Sequence, residues 1–272
     1  GDLSRAWTPE HLKSQNDALK MGTNIVLYAS GRTDLRNRSV SLDPGVPDVT
    51  PLAAVPIARV RYAGNWDPEP GAWPRMAKIV RLGTNLHCDV RPVAAASLDV
   101  HRTPIAHLTG TDAIQLSSNE IAAITRFVDD GGVLLIDVCG GSKAFGESVQ
   151  KQLIDPMGIA EVLAGGSPLF DASAPGMLPL DKPRLRSFSQ TQKLTASDHL
   201  LHVHHGQGDI IFTPLDLTSG FLGTNTWGIS GFEPAHAQAI VQNVIVWAAR
   251  QSARIAPTSE PTTTPTTMPI LQ

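Results

Sequence analysis

The chain has 272 residues, of which 42% are hydrophobic and 17% charged, and a formal net charge of -3, which fits one sizeable α/β domain with additions or two small domains. Without a long basic run there is no electrostatic reason to expect nucleic acid or an anionic membrane as partner. No apolar run approaches the roughly 20 residues a membrane helix needs, and the two cysteines, Cys88 and Cys139, form no CxxC pair of the zinc or dithiol type.

Gly1-Asp2, with no methionine, reads as the start of a processed or excised segment. Residues 9–29 carry a helical pattern, with Pro9 in the first turn and Gly31 as the stop. The stretch Asn24 to Ala29 reads like Asn243 to Ala248, and Trp7 to His11 reads like Phe232 to His236. The spacing between the blocks differs. Two readings stand: the closing helix of a preceding related domain, stacked on this one, or chance similarity of two amphipathic helices. Thr33 to Pro56 is polar and rich in Pro, Asp and Ser, a linker after which the main domain begins. The division expected is an arm and linker over 1–45, an α/β domain over 57–252 and a Thr/Pro-rich disordered tail over 253–272.

Within the domain, Ile57 to Tyr62 alternates as a strand and Asn65 to Pro70 is a loop. A helix follows around Trp73, Ala77 and Val80, with Pro74 in its first turn and Gly83 as its stop. Leu86 to Arg91 and Ile105 to Thr109 read as strands. Ser117 and Glu120 form a capping box for a helix that presents Ile121, Ile124 and Val128 on one face and leaves through Gly131-Gly132. The unbroken apolar run Val133 to Asp137 predicts a central parallel strand, and residues 143–154 the next helix. Residues 155–198 are irregular. Leu200 to His205 and Asp209 to Thr213 flank a Gly206-Gln207-Gly208 turn, a hairpin signal. The glycine-punctuated loop 220–231, which carries Trp227, is a functional loop or lid, and a helix over 234–250 closes the domain.

Ligands of such sheets sit at the carboxyl ends of the strands. Asp137, followed by Gly140, Gly141 and Ser142 at a helix start, can either orient a polar ligand or cap that helix. Trp66, Asp67 and Glu69 after the first strand, with Asp216 and Trp227, belong to the same edge and suit a small polar ligand, a sugar or a peptide. His202 and His204 share a strand face and could hold a metal with Asp216, but two ligands close no site, so no metal is assigned. There is no P-loop, GxGxxG, HExxH or recognisable Ser-His-Asp spacing, and no cofactor is expected.

Several stretches together carry a resemblance: Arg59 to Tyr62, Asn65-Trp66-Asp67-Pro68, the strand ending at Thr109-Gly110, Phe127 to Asp137 with Cys139 to Phe145, and Gly206 to Phe212. They resemble the bacterial domain-of-unknown-function family 4159, over about residues 57–250. The resemblance implies a three-layer, flavodoxin-like parallel sheet with an added hairpin, similar in outline to class I glutamine amidotransferases. It also implies a membrane-associated or extracytoplasmic bacterial setting. One departure is Gly166-Ser167-Pro168, with Ser where family members often have His. In the amidotransferase-like frame Cys139 takes the nucleophile's elbow, where a helix start would lower a thiol pKa. The His-x-Glu pair of those enzymes has no counterpart in Thr213 to Leu217, although His199 or His204 could arrive from a loop. The leading expectation is therefore a non-catalytic ligand-binding or protein-interaction module. The alternatives are a hydrolase or amidohydrolase using Cys139 or the Asp137 and Asp216 carboxylates, and a scaffold of stacked domains.

Overall fold

Six consecutive buried residues, Val133–Val138, make a strand with no solvent face, and such a strand needs a covering layer on each side. The structure, a computed structural model, describes Gly22, Ile25 and residues 43–163, 167–180, 183–196 and 199–255. Nearly all of the N-terminal helix, residues 33–42 of the linker, Gly166 of the departure and the tail from 256 on lie outside the described residues. The chain divides into units 1–44 and 45–272, and every element below belongs to the second.

Seven strands form one sheet: β1 (Ala53–Arg61), β2 (Leu86–Ala94), β3 (Ile105–Gly110), β4 (Val133–Val138), β5 (Glu161–Val162), β6 (Leu201–His205) and β7 (Gly208–Thr213), in the order β2-β1-β3-β4-β7-β6-β5. The first five in that order are parallel, and β6 and β5 add antiparallel at one edge. Among the parallel strands this is the flavodoxin-type order, whose crevice lies between β1 and β3. The helices are α1 (Ala72–Thr84), α2 (Ser118–Asp129), α3 (Lys143–Val149), α4 (Asp155–Met157), α5 (Ser187–Thr191), α6 (Thr218–Phe221) and α7 (Pro234–Ile255). None of the described helices is long and apolar enough to cross a membrane.

Alternation along the strands feeds two cores. Val55, Ile57, Ile105, Leu135 and Ile211 pack with Trp73 and Met76 of α1 and with Ile240 and Val244 of α7. Their neighbours Ala58, Val60, Leu108, Leu134, Ile136 and Phe212 pack with Ile124 and Phe127 of α2 and with Phe145 and Val149 of α3. The result is a three-layer α/β fold. The α2 capping box is formed in full, Ser117 and Glu120 each accepting from the other's amide.

Several boundaries differ from the sequence reading: β2 continues to Ala94 and α7 to Ile255, past the residues read for them, and three further differences concern β1, α1 and α3. β1 begins at Ala53, inside the stretch read as linker, because Pro56 lies beyond the segment Ile57–Arg59 that pairs with β3 and so removes no hydrogen bond on that side. α1 passes through Gly83 and ends at Asn85, whose φ of 60° closes the helix. Gly83 serves close packing instead: a Cβ there would lie 2.9 Å from the Gln242 side-chain oxygen of α7. The helix read over 143–154 is α3 followed by a π-helical turn, Gln150–Ile154.

Candidate functional site

β4 delivers Asp137 to the carboxyl edge of the sheet, but its carboxylate is wholly buried. Oδ1 accepts from His107 Nε2 at 2.7 Å and from the Thr218 hydroxyl at 2.9 Å. Oδ2 accepts from the amides of Leu217 and Thr218 at 2.8 and 2.9 Å. His107, on β3, receives the Trp73 indole N–H at Nδ1, 2.9 Å away. An indole only donates, so the His107 proton sits on Nε2 and points at Asp137. Burial alone would raise the Asp137 pKa, but the His107 hydrogen bond and the two amides outweigh it and hold the carboxyl below its ordinary value. Asp137 thus ties β3 and β4 to the start of α6 and does not cap α3. His107 escaped the sequence reading, although a histidine inside the otherwise apolar Ile105 to Leu108 was a signal for a buried polar partner.

Asp216, beyond β7, takes the place next to the elbow that Asp137 was expected to hold. Its Oδ1 accepts from the Gly140 amide at 3.0 Å and from the amide and hydroxyl of Ser219 at 3.1 and 3.0 Å. Burial, together with the negative charge of Asp137, raises its pKa to about 6. Arg186, just before α5, is 1% exposed; its Nη1 donates to the Thr224 carbonyl at 2.9 Å, and its Nη2 is 3.9 Å from Asp216 Oδ2, too far for a hydrogen bond.

Cys139 lies between these groups, 4% exposed, with its sulfur 3.7 Å from the Ser219 hydroxyl. Burial and the charges of Asp216 and Asp137 push the thiol pKa up. This reverses the lowering expected at a helix start: the two carboxylates and the loss of solvent outweigh whatever seven-residue α3 contributes. The elbow itself requires glycine, with φ of 70° at Gly140 and 77° at Gly141. Ser230 and Gly231, at the end of segment 222–231, pack against it. The Ser230 amide donates to the Gly140 carbonyl at 3.2 Å, the Asp216 amide to the Ser230 carbonyl at 3.0 Å, and the Gly231 amide to the Ser189 hydroxyl at 2.8 Å. A Cβ on Gly141 would come within 2.5 Å of Ser230 Cβ, whereas one on Gly140 meets nothing within 4 Å. Gly140→Ala is expected to cost the left-handed penalty alone, about 1–2 kcal/mol, and Gly141→Ala distinctly more in chemical denaturation. Equal losses would mean that Ser230 does not press on the elbow.

The remaining predicted residues sit apart from this cluster. Tyr62 fills the edge between β1 and β3: its hydroxyl donates to the Thr109 carbonyl at 3.0 Å, and its ring centroid lies 6.4 Å from that of Phe145. Asp67 pairs with Arg59, whose guanidinium stands 5.2 Å from the Trp66 ring centre, so Trp66 and Asp67 form a unit with β1. Ser142 precedes α3 without a side-chain capping bond. Trp227 is 68% exposed and meets Phe188 edge-on at 5.3 Å. His202 and His204 both bond Asp209 Oδ1, at 2.7 and 3.0 Å, and not Asp216. Asp209 pairs in register with Val133 while Thr213 pairs with Asp137, which sets the histidine cluster about 13 Å down the strand at 3.3 Å per residue, at the opposite edge from Cys139. His199 bonds the Thr195 carbonyl. Among the described residues no group of three or more His, Cys, Asp or Glu could hold a metal ion.

The fold and the elbow together define an α/β sheet protein of flavodoxin-type order with a buried polar cluster at its carboxyl edge. Residues 56–159 match the family model described as "Domain of unknown function (DUF4159)". The matched stretch covers most of β1 and runs through α4, so it includes His107, Asp137 and Cys139 but neither Arg186 nor Asp216. No curated protein matches the chain by sequence. Among solved structures, the exo-β-1,4-mannosidase Op5Man5 from Opitutaceae bacterium strain TAV5 is similar at 14% identity and a TM-score of 0.34, over 75% of this chain and 36% of the mannosidase. The cytoplasmic protein STM3548 from Salmonella typhimurium is similar at 13% identity and a TM-score of 0.35, over 71% of this chain and 98% of that one.

Proposed function

We propose that the domain is a non-catalytic ligand-binding or protein-interaction module on an amidotransferase-like frame, with its site at the carboxyl edge of the sheet. The observation that carries this reading is the setting of Cys139: a buried thiol whose one hydrogen-bond contact is the Ser219 hydroxyl and whose pKa is raised. A nucleophilic cysteine needs a thiolate and a base within reach, and the imidazole of this edge, His107, is engaged by Trp73 on one nitrogen and by Asp137 on the other. Alkylation by iodoacetamide at neutral pH is the test. Both Cys139 and Cys88, whose pKa burial pushes up to about 12, are expected to react only on unfolding. Rapid alkylation of native Cys139, with turnover of an amide or ester that Cys139→Ala abolishes, would overturn the proposal.

One observation favours a hydrolytic reading. Asp216 combines a pKa of about 6 with an oxygen that has no protein partner, as a general acid or base requires. That reading demands an activity lost in Asp216→Asn and kept in Cys139→Ala.

A further inference from the structure

Arg186 is the largest fully buried side chain among the described residues. A guanidinium has five N–H donors and keeps its charge in proteins, and burying an ion without partners costs several kcal/mol. Nη1 is used, on the Thr224 carbonyl. Nε and Nη2 have no protein partner, and neither has Asp216 Oδ2. The unpartnered donors share one edge of the planar group, the edge that grips a carboxylate through two parallel hydrogen bonds. Asp216 does not take that place: Gly140 and Ser219 hold its Oδ1, and its Oδ2 stays 3.9 Å from Nη2.

We propose that the free edge of Arg186, with Asp216 Oδ2 beside it, binds the carboxylate of a small monocarboxylate ligand beneath segment 222–231. The inference rests on the binding reading above and names the ligand class. Small residues stand beside the pair: Ser219 bonds Asp216, and Gly220, held against Ala237, brings its Cα side to Arg186, where a Cβ would be 3.9 Å from Nη2. A dianion meets the Asp216 carboxyl unfavourably, whereas a monocarboxylate can share its proton. The charged and titratable groups around Asp216 are Asp137, Cys139 and Arg186, and its pKa of about 6 makes binding tighter as pH falls through that value. Entry requires segment 222–231 to release the Arg186 contact at Thr224; residues 223–228 of that segment are exposed.

The test is titration of the ¹⁵N-labelled full chain with acetate, followed at the Arg186 Nε–H resonance, with acetamide and inorganic phosphate as controls at matched ionic strength. Acetate is expected to shift this resonance saturably in the millimolar range and more tightly below pH 6 than above it, while acetamide leaves it in place and phosphate, on the alkaline side of neutrality where it is mostly a dianion, binds more weakly than acetate at the same pH. Arg186→Lys, which offers a point charge but no fork, should weaken acetate by roughly tenfold. If that variant does not fold, the titration of the unaltered chain decides alone. A resonance indifferent to acetate, or equally shifted by acetamide, overturns the proposal. With Cys139 still inert to alkylation, that failure removes the ligand class and leaves the binding reading; a reactive Cys139 with turnover removes the binding reading itself.

Discussion

Asp137→Ala is expected to destabilise the domain by at least about 3 kcal/mol, from three buried donors left without an acceptor at about 1–3 kcal/mol each. The substitution empties a site where one carboxylate receives His107 Nε2, the Thr218 hydroxyl and the amides of Leu217 and Thr218. The hydroxyl can turn elsewhere, but the imidazole N–H and both amides would stay buried without an acceptor, and each such orphan costs about 1–3 kcal/mol. Asp137→Asn keeps one acceptor and turns an NH2 toward donors, so it should fall between the alanine variant and the unaltered chain. His107→Phe combined with Asp137→Ala should lose less than the two single losses together, since the first removes a donor that the second strands. Urea denaturation of the unaltered chain, the three single variants and the double variant measures this. Additive losses, or an Asp137→Ala loss below about 1 kcal/mol, would show that Asp137 is not the tie between β3, β4 and α6.

Much of this arrangement was legible in the residues, and the limit has a physical cause. The Ser117 and Glu120 capping box, the apolar run of β4 and the Gly206 to Gly208 turn are local signals, and each produced the element expected. Pro56 and Gly83 misled because their effect depends on neighbours: Pro56 on where β3 stops, Gly83 on Gln242 of α7. The site residues depend on contacts across the chain. Asp137 and Asp216 were both placed at the carboxyl edge, but which of them faces the elbow is decided by Leu217, Thr218 and Ser219, some 80 positions from Asp137 and Cys139. Arg186 lay in a stretch read as irregular, and nothing local marks an arginine for burial. Its importance follows from its distance to Asp216 and from donors left without acceptors.

The pH dependence of stability should show Asp216 and Asp137 pulling in opposite directions. The folded pKa of Asp216, about 6, lies above the ordinary aspartate value of about 3.9, so the folded state holds this proton more tightly than the unfolded chain. Stability from this group therefore rises as pH is lowered from neutral through 6 toward 4. A shift of that size corresponds to about 3 kcal/mol when complete. Asp137 has a lowered folded pKa, so its contribution is present above about pH 4 and is lost as pH falls through its folded value. Maximum stability is thus expected between about pH 4 and 6, below neutrality, where each carboxyl is in the state its surroundings favour. Asp216→Asn isolates the first effect. Its absolute stability is not the criterion, because the change also takes a counter-charge from Arg186; the slope is. Urea midpoints measured across the range should rise on acidification for the unaltered chain and lose most of that rise in Asp216→Asn. Parallel profiles for the two chains would mean that Asp216 titrates like an exposed aspartate and that the buried, unpartnered carboxyl oxygen beside Arg186 carries no such strain.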